Sequence, residues 1–155
     1  MSIEPVIVEV EVPLAPPEAF ELFVGGLATW WPREYTWSGE VLETIAIEPK
    51  VGGRCYELGP HGFHCDWGRV VEYNPPARIA FTWQIGAQRE PLPDPAAASM
   101  VTVTFDSHGS RTVVRLEHSG FERHRDGGNY REMLASPQGW PLIVDRYAAA
   151  AGRRS

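Results

Sequence analysis

The chain has 155 residues, a formal net charge of −6, 43% hydrophobic residues and two cysteines. This length suits one domain with its own core, so we expect residues 1–155 to form a single domain. The acidic balance argues against nucleic-acid or membrane partners, and neither a signal peptide nor a membrane span of about 20 residues is evident, so we expect a cytoplasmic protein with reduced thiols.

The N-terminal part predicts a strand and then a short helix. Residues 6–12 alternate valines with other side chains, as in a strand with one buried face. Pro16 and Pro17 favour a helix start, and Phe20 and Phe23 place an apolar stripe on that helix. An aromatic segment without regular periodicity follows at residues 29–39.

Residues 41–118 predict about six antiparallel strands joined by turns. Alternating apolar positions and Gly- or Pro-containing turns separate the strands, and no internal repeat is present. The exception is the stretch 86–99, which holds three prolines and no strand period, and which we interpret as a lid or binding loop. The predicted strands are residues 41–48, 54–58, 65–73, 79–85, 101–105 and 113–118.

The stretch 136–151 is the longest helix candidate, after a short helical turn at residues 130–135. Its apolar side chains recur at three- and four-residue steps, with Ser136 as the predicted N-cap and Gly152 as the predicted end. This wide apolar stripe needs a concave partner. A meander of twisted strands curls and provides one.

Several runs along the chain resemble a known superfamily. EPKVGGRCYE, DWGRVVEYNPPARIAFTW, the VTVTF strand, TVVRLEHSGF and the GW before the last helix are similar to the START-like helix-grip (SRPBCC) superfamily. More narrowly, they resemble homologues of the activator of heat-shock-protein ATPase. The resemblance extends from Val8 to Tyr147.

This resemblance implies an α+β helix-grip fold. A curved antiparallel sheet of about six or seven strands wraps around a long C-terminal helix, a short helix follows the first strand, and a cavity lies between sheet and helix. Simple members of the superfamily commonly bind hydrophobic small molecules. The eukaryotic co-chaperone has an additional domain for which 155 residues leave no room, so we do not expect co-chaperone activity.

Aromatic side chains are the main candidates for a ligand site, because six tryptophans are many for a small core and suit an apolar pocket. The alternative is that they only fill the core beneath the helix. The predicted ligand-binding residues are Trp30, Trp31, Trp37, Tyr56, Trp67, Trp83, Phe105, His118, Trp140, Ile143, Val144 and Tyr147.

His118 is the best polar candidate, because it shares a strand face with Val114 and Leu116 and should point inward. There it either donates to a ligand, acts as an acid or base beside an acidic or hydroxyl neighbour, or is a core histidine with an internal partner.

The hairpin around residues 55–65 does not favour a metal site. Cys55, His61, His64 and Cys65 lack the paired spacing of zinc ligands, and adjacent positions 64 and 65 point to opposite faces of a strand. No nucleophile elbow and no Ser/His/Asp set are recognisable. We therefore expect no metal, no cofactor and no catalytic residue.

The predicted function is binding of a small hydrophobic or aromatic molecule in a cavity between the curved sheet and the C-terminal helix, without catalysis. One alternative is an enzyme of the cyclase or hydrolase kind that uses the same cavity. A second is a chaperone-associated interaction module, which requires a large exposed patch on the outer sheet face. That face is also compatible with a homodimer.

Overall fold

The computed structural model describes residues 3–154, and seven strands in it form one antiparallel sheet. The order across the sheet is β1-β7-β6-β5-β4-β3-β2, so consecutive strands from β2 to β7 are neighbours, and β1 closes against β7. The predicted meander is confirmed. The strands are β1 (Val6–Val12), β2 (Thr44–Ile47), β3 (Arg54–Leu58), β4 (His64–Asn74), β5 (Arg78–Trp83), β6 (Ser99–His108) and β7 (Arg111–Ser119).

Four α-helices accompany the sheet: α1 (Pro16–Val24), α2 (Leu27–Trp30), α3 (Gly127–Ala135) and α4 (Trp140–Arg154). The short helix predicted after the first strand is confirmed as α1, which begins at its proline pair. Together the curled sheet and the C-terminal helical region form the α+β helix-grip fold. Among the helices of residues 3–154, none is long and apolar enough to cross a membrane.

The predicted bounds of the C-terminal helix are wrong at both ends. Ser136 is the C-cap of α3, and the chain turns at Gly139, whose N–H donates to the Ser136 carbonyl at 2.8 Å. A Cβ at Gly139 would collide with the Leu134 carbonyl, so the turn requires glycine there. Helix α4 therefore begins at Trp140 and runs through Gly152.

Helix α4 buries one face against β1, α1 and α2. The Tyr147 ring lies 5.3 Å from the Phe23 ring and 5.2 Å from the Trp30 ring, both at steep angles. Its hydroxyl donates to the Ala19 carbonyl in α1 at 2.7 Å. Tyr147 thus joins α4 to α1 by packing and by one buried hydrogen bond.

Replacing Tyr147 by Phe should destabilise the fold by about 1–2 kcal/mol, because the Ala19 carbonyl loses a buried donor. Urea denaturation measures the change. Tyr35→Phe is the control, since the Tyr35 hydroxyl donates to the Gln138 carbonyl in an exposed place and should contribute less. Equal stability of Tyr147→Phe and wild type would show that the bond to α1 contributes nothing.

A β-bulge between β3 and β4 sets the orientation of Trp67. Cys55 pairs with Gly68 and Tyr56 with Asp66, which leaves Trp67 as the extra residue. A bulge re-aims the side chain it carries, and Trp67 points inward with 1% of its surface exposed. A Cβ at Gly68 would collide with the Thr82 carbonyl, so glycine lets β5 approach the bulge closely.

Candidate ligand-binding pocket

A pocket of about 400 Å³ lies between the inward face of β2 to β5, the segment 31–37 and the helices α3 and α4. Its walls are mostly apolar, with a few polar side chains among the aromatic rings. The lining residues are Trp31, Tyr35, Thr36, Trp37, Ile45, Glu57, Trp67, Trp83, Ile85, Gly86, Ala87, Arg89, Tyr130, Met133, Leu134, Ser136, Gln138, Gly139 and Ile143.

Three indoles give the pocket an aromatic wall. Trp31 and Trp67 are stacked, with ring centroids 5.9 Å apart and an interplanar angle of 23°. The Trp83 ring lies 5.9 Å from the Trp67 ring at 65°, and so forms a side to the stacked pair. Flat ring faces of this kind make favourable contacts with another planar π-system.

Glu57 is the most unusual lining residue, because its side chain is a carboxylate with only 1% of its surface exposed. One carboxylate oxygen accepts the backbone N–H of Trp37 at 3.1 Å, and the other accepts that of Ser38 at 2.7 Å. These two bonds hold the group in place. None of the ion pairs found within residues 3–154 involves it.

Tyr130 occupies the α3 side of the pocket, and its hydroxyl is fully engaged. It accepts the Trp83 indole N–H at 2.7 Å and donates to the Ile85 carbonyl at 2.7 Å. Burial raises the pKa of Tyr130 strongly, and the hydrogen bond from Trp83 offsets only part of this increase. Tyr130 is therefore a neutral phenol that fixes Trp83 rather than a proton acceptor.

Arg89 fastens the loop between β5 and β6 across the pocket. Its guanidinium donates to the Thr36 carbonyl at 3.0 Å, and its own carbonyl accepts the Trp37 indole N–H at 2.8 Å. Arg89 adopts a φ of 64°, an uncommon conformation for a residue other than glycine. The loop that the sequence marks as a lid or binding loop thus contributes Gly86, Ala87 and Arg89 to the lining.

The structure brings five of the predicted site residues together around the pocket and places the other seven elsewhere. Trp31, Trp37, Trp67, Trp83 and Ile143 line it. Phe105, Trp30 and Tyr147 pack in the neighbouring core around Phe23, and Val144 is buried on α4. Tyr56 stacks on the His64 ring at 5.6 Å instead, and His118 and Trp140 lie next to Trp83.

His118 belongs to a buried hydrogen-bond chain. The Trp140 indole N–H donates to Nδ1 of His118 at 2.9 Å, so the His118 proton must sit on Nε2. That Nε2 lies 2.6 Å from the Ser99 hydroxyl, which in turn lies 2.6 Å from Nε2 of His124. The direction of donation therefore runs from Trp140 through His118 and Ser99 to His124.

Burial sets the protonation of this chain. It lowers the pKa of His118 well below its usual value, and a positive charge on His124 would lower it further. Burial also lowers the pKa of His124, while Glu90 opposes that shift. Acid–base chemistry at His118 requires an acidic or hydroxyl neighbour, and Ser99 is such a hydroxyl. However, His118, Ser99 and His124 do not line the pocket. The geometry fits a core histidine with internal partners.

Glu57, Tyr130 and Arg89 are among the pocket residues that were not predicted from the sequence as site residues. Glu57 sits in a five-residue strand whose other face carries Tyr56 and Leu58, so hydrophobicity alone favours the opposite orientation. Tyr130 was predicted only as part of a short helical turn and not as a ligand-binding residue. Arg89 was predicted only as part of the loop 86–99, because its contacts lie more than 50 residues away in the chain.

The cysteine-containing hairpin offers no ligand cluster. Within residues 3–154, no group of three or more His, Cys, Asp or Glu side chains is placed to hold a metal ion. Burial raises the pKa of the Cys55 thiol strongly, so this group stays protonated. Both cysteines are free thiols.

The whole pocket falls within a segment that matches a known family profile. Residues 15–152 match the profile described as Activator of Hsp90 ATPase homolog 1-like protein. The chain belongs to this family. The resemblance inferred from the sequence motifs is therefore confirmed. None of the curated proteins matches the chain significantly.

Solved structures support the same assignment. The anthrahydroquino-γ-pyrone synthase Txn09, complexed with SUM, is 36% identical to this chain, with a TM-score of 0.67 and coverage of 96% of this chain and 97% of the other. CalC, a self-sacrificing resistance protein from Micromonospora echinospora, is 25% identical, with a TM-score of 0.69 and coverage of 98% and 96%. Protein MLL2253 from Mesorhizobium loti, at 22% identity, a TM-score of 0.66 and coverage of 98% and 99%, shows the shared fold.

The family name raises the question of a docking face for a chaperone. The large exposed apolar side chains include Ile7 on β1 and Val71 on β4. Strands β7, β6 and β5 separate these two, so they do not form one patch. An apolar patch on the outer sheet face would therefore not include both Ile7 and Val71.

Proposed function

We propose that the pocket binds a planar, largely apolar aromatic molecule. The observation that carries this proposal is the group of four indoles, Trp31, Trp37, Trp67 and Trp83, around a space of about 400 Å³. A volume of this size suits a small molecule of two to four fused rings. Since four indoles border one space, a flat aromatic ligand can pack against several rings at once.

The binding energy would come mainly from apolar area removed from water, at about 25 cal/mol per Å². Stacking on the indole faces adds a further contribution. The 36% identical relative is named for an anthrahydroquino-γ-pyrone, and this likeness supports an aromatic ligand here. The Arg89 contacts, which fasten the loop over the pocket, would slow ligand release.

Fluorene, fluorenone and anthraquinone should therefore bind to the purified protein and quench its tryptophan fluorescence. At a free ligand concentration ten times Kd, the stabilisation is about 1.4 kcal/mol. For a chain of this size that raises Tm by about 3–5 °C. Thermal shift and fluorescence titration measure the two effects independently.

A pocket-filling variant tests where binding takes place. Ala87 lines the pocket, so Ala87→Phe should abolish quenching and thermal shift while the fold persists. Ala96→Phe lies in the same loop at an exposed position and should bind as wild type does. Unchanged binding by Ala87→Phe, or no binding of any planar compound by wild type, would refute the proposal.

A second candidate is an enzyme that acts on the molecule bound in this pocket. Two observations favour this candidate. The 36% identical relative is a synthase, and the carboxylate of Glu57 lines the pocket. A carboxylate held by two backbone N–H groups is positioned to accept a proton from a bound substrate. Polyphenolic compounds incubated with wild type and with Glu57→Gln can be analysed by mass spectrometry. An enzyme should yield a product with wild type that is missing with Glu57→Gln, whereas a binding protein should yield no product with either.

A further inference from the structure

The Trp67 indole N–H has no hydrogen-bond partner within residues 3–154, although the side chain is buried. Four other indoles are satisfied: those of Trp30, Trp37, Trp83 and Trp140 donate to a carbonyl, a carbonyl, a hydroxyl and an imidazole respectively. Buried donors in folded proteins are nearly always paired. The orphaned donor belongs to a side chain that lines the pocket.

Glu57 provides the complementary group. An ionised carboxylate has about four acceptor positions, and the N–H groups of Trp37 and Ser38 fill one on each oxygen. Buried carboxylates are ordinarily paired with cations or with further donors. The remaining acceptor positions of Glu57 are thus suited to a donor that comes from a ligand.

The two groups lie on one wall. Glu57 and Trp67 sit on the adjacent strands β3 and β4, both directed inward, and the bulge at Trp67 turns its ring into that wall. A ligand whose edge faces this wall therefore meets a fixed acceptor and an unsatisfied donor. The pocket is apolar elsewhere on this side, so these two groups decide which edge chemistry is accepted.

We infer that the pocket selects a planar polycyclic aromatic molecule that carries both a ring carbonyl, to accept from Trp67, and a ring hydroxyl, to donate to Glu57. This inference rests on the proposed function. A neutral hydroxyl is favoured over a carboxylate, because an acidic ligand would meet the Glu57 charge in a site shielded from water. Glu57 and Trp67 are then the residues that determine specificity.

Four probes of nearly equal shape test the inference: fluorene, fluorenone, 2-hydroxyfluorene and 2-hydroxyfluorenone. One net hydrogen bond changes affinity by up to about tenfold. In wild type we expect fluorenone and hydroxyfluorene each to bind about tenfold more tightly than fluorene, and hydroxyfluorenone to bind most tightly. Trp67→Phe should remove the carbonyl preference alone, and Glu57→Gln should weaken the hydroxyl preference alone.

A second measurement does not depend on the variants' stability. In nitrogen-15 spectra of wild type, the indole N–H resonance of Trp67 should move downfield with fluorenone much more than with fluorene. Equal affinities for all four probes would overturn the inference and leave the proposed function standing. No binding by any probe would overturn the proposed function itself. A carbonyl preference that persists in a folded Trp67→Phe variant would exclude Trp67 as the donor.

Discussion

Val144→Asp should leave the chain without a cooperative unfolding transition at room temperature. Val144 is 4% exposed on the inner face of α4 and does not line the pocket, so an aspartate there is shielded from water. An uncompensated buried charge costs about 3–5 kcal/mol, on top of the lost packing. A domain of this size has only about 5–15 kcal/mol of stability in total.

Two matched variants test whether the loss of stability is specific to the buried face of α4. Ala149→Asp places the same charge at an exposed position of α4 and should change stability by less than about 1 kcal/mol. Ile143→Asp should fall between the two, because Ile143 borders the pocket and the aspartate side chain can extend into that space instead of into packed core. Circular dichroism and urea titration rank the three. If Val144→Asp unfolds at the same urea concentration as Ala149→Asp, α4 is not held by the sheet.

The overall architecture could be predicted because several independent sequence patterns indicate the same strands and helices. In β7, six residues alternate without exception, and the structure buries Val114, Leu116 and His118 while the residues between them stay half-exposed. The proline pair fixes the start of α1 in the same local way. Hydrophobic periodicity and turn residues are properties of the chain itself, so the meander from β2 to β7 and a concave face for the last helix follow from them, whereas the place of β1 beside β7 was not predicted.

The bounds of the last helix could not be predicted in this way. Ser136 followed by Pro137 satisfies every local rule for a helix start, yet the same serine ends α3. Whether Ser136 ends one helix or begins the next depends on the close approach of Gly139 to the carbonyl of Leu134, a contact that forms only when α3 is folded. Local capping signals identify a helix boundary but not which of two helices it belongs to.

The polar part of the pocket was hidden for a related reason. In strand β3, one face carries Tyr56 and Leu58 and the other carries Cys55 and Glu57, so hydrophobicity alone favours an outward Glu57. Glu57 turns inward where two backbone N–H groups from residues 37 and 38 meet it, about 20 positions away in sequence. Burial of a carboxylate thus depends on long-range partners, whereas burial of an aromatic residue follows from hydrophobicity.

Acidification should destabilise the protein in the range below about pH 6.5, before most carboxylates titrate. Because burial holds the pKa values of His118 and His124 below the unfolded value of about 6.5, the unfolded chain binds more protons there. Stability is therefore fully present above pH 6.5 and falls as the pH drops. From pH 7.5 to pH 5.5 we expect a loss of up to about 1.4 kcal/mol per histidine, measured by urea denaturation at each pH.

His118→Gln is the informative variant, because a glutamine amide can accept from Trp140 and donate to Ser99 without titrating. Its unfolding free energy should depend on pH about half as steeply as that of wild type over this range, and His118→Gln/His124→Gln should remove most of the dependence. His61→Asn changes an exposed histidine at a φ of 59°, which asparagine tolerates, and should preserve the wild-type slope. A wild-type slope in the double variant would mean that other groups, not the buried chain from Trp140 to His124, make the fold sensitive to acid.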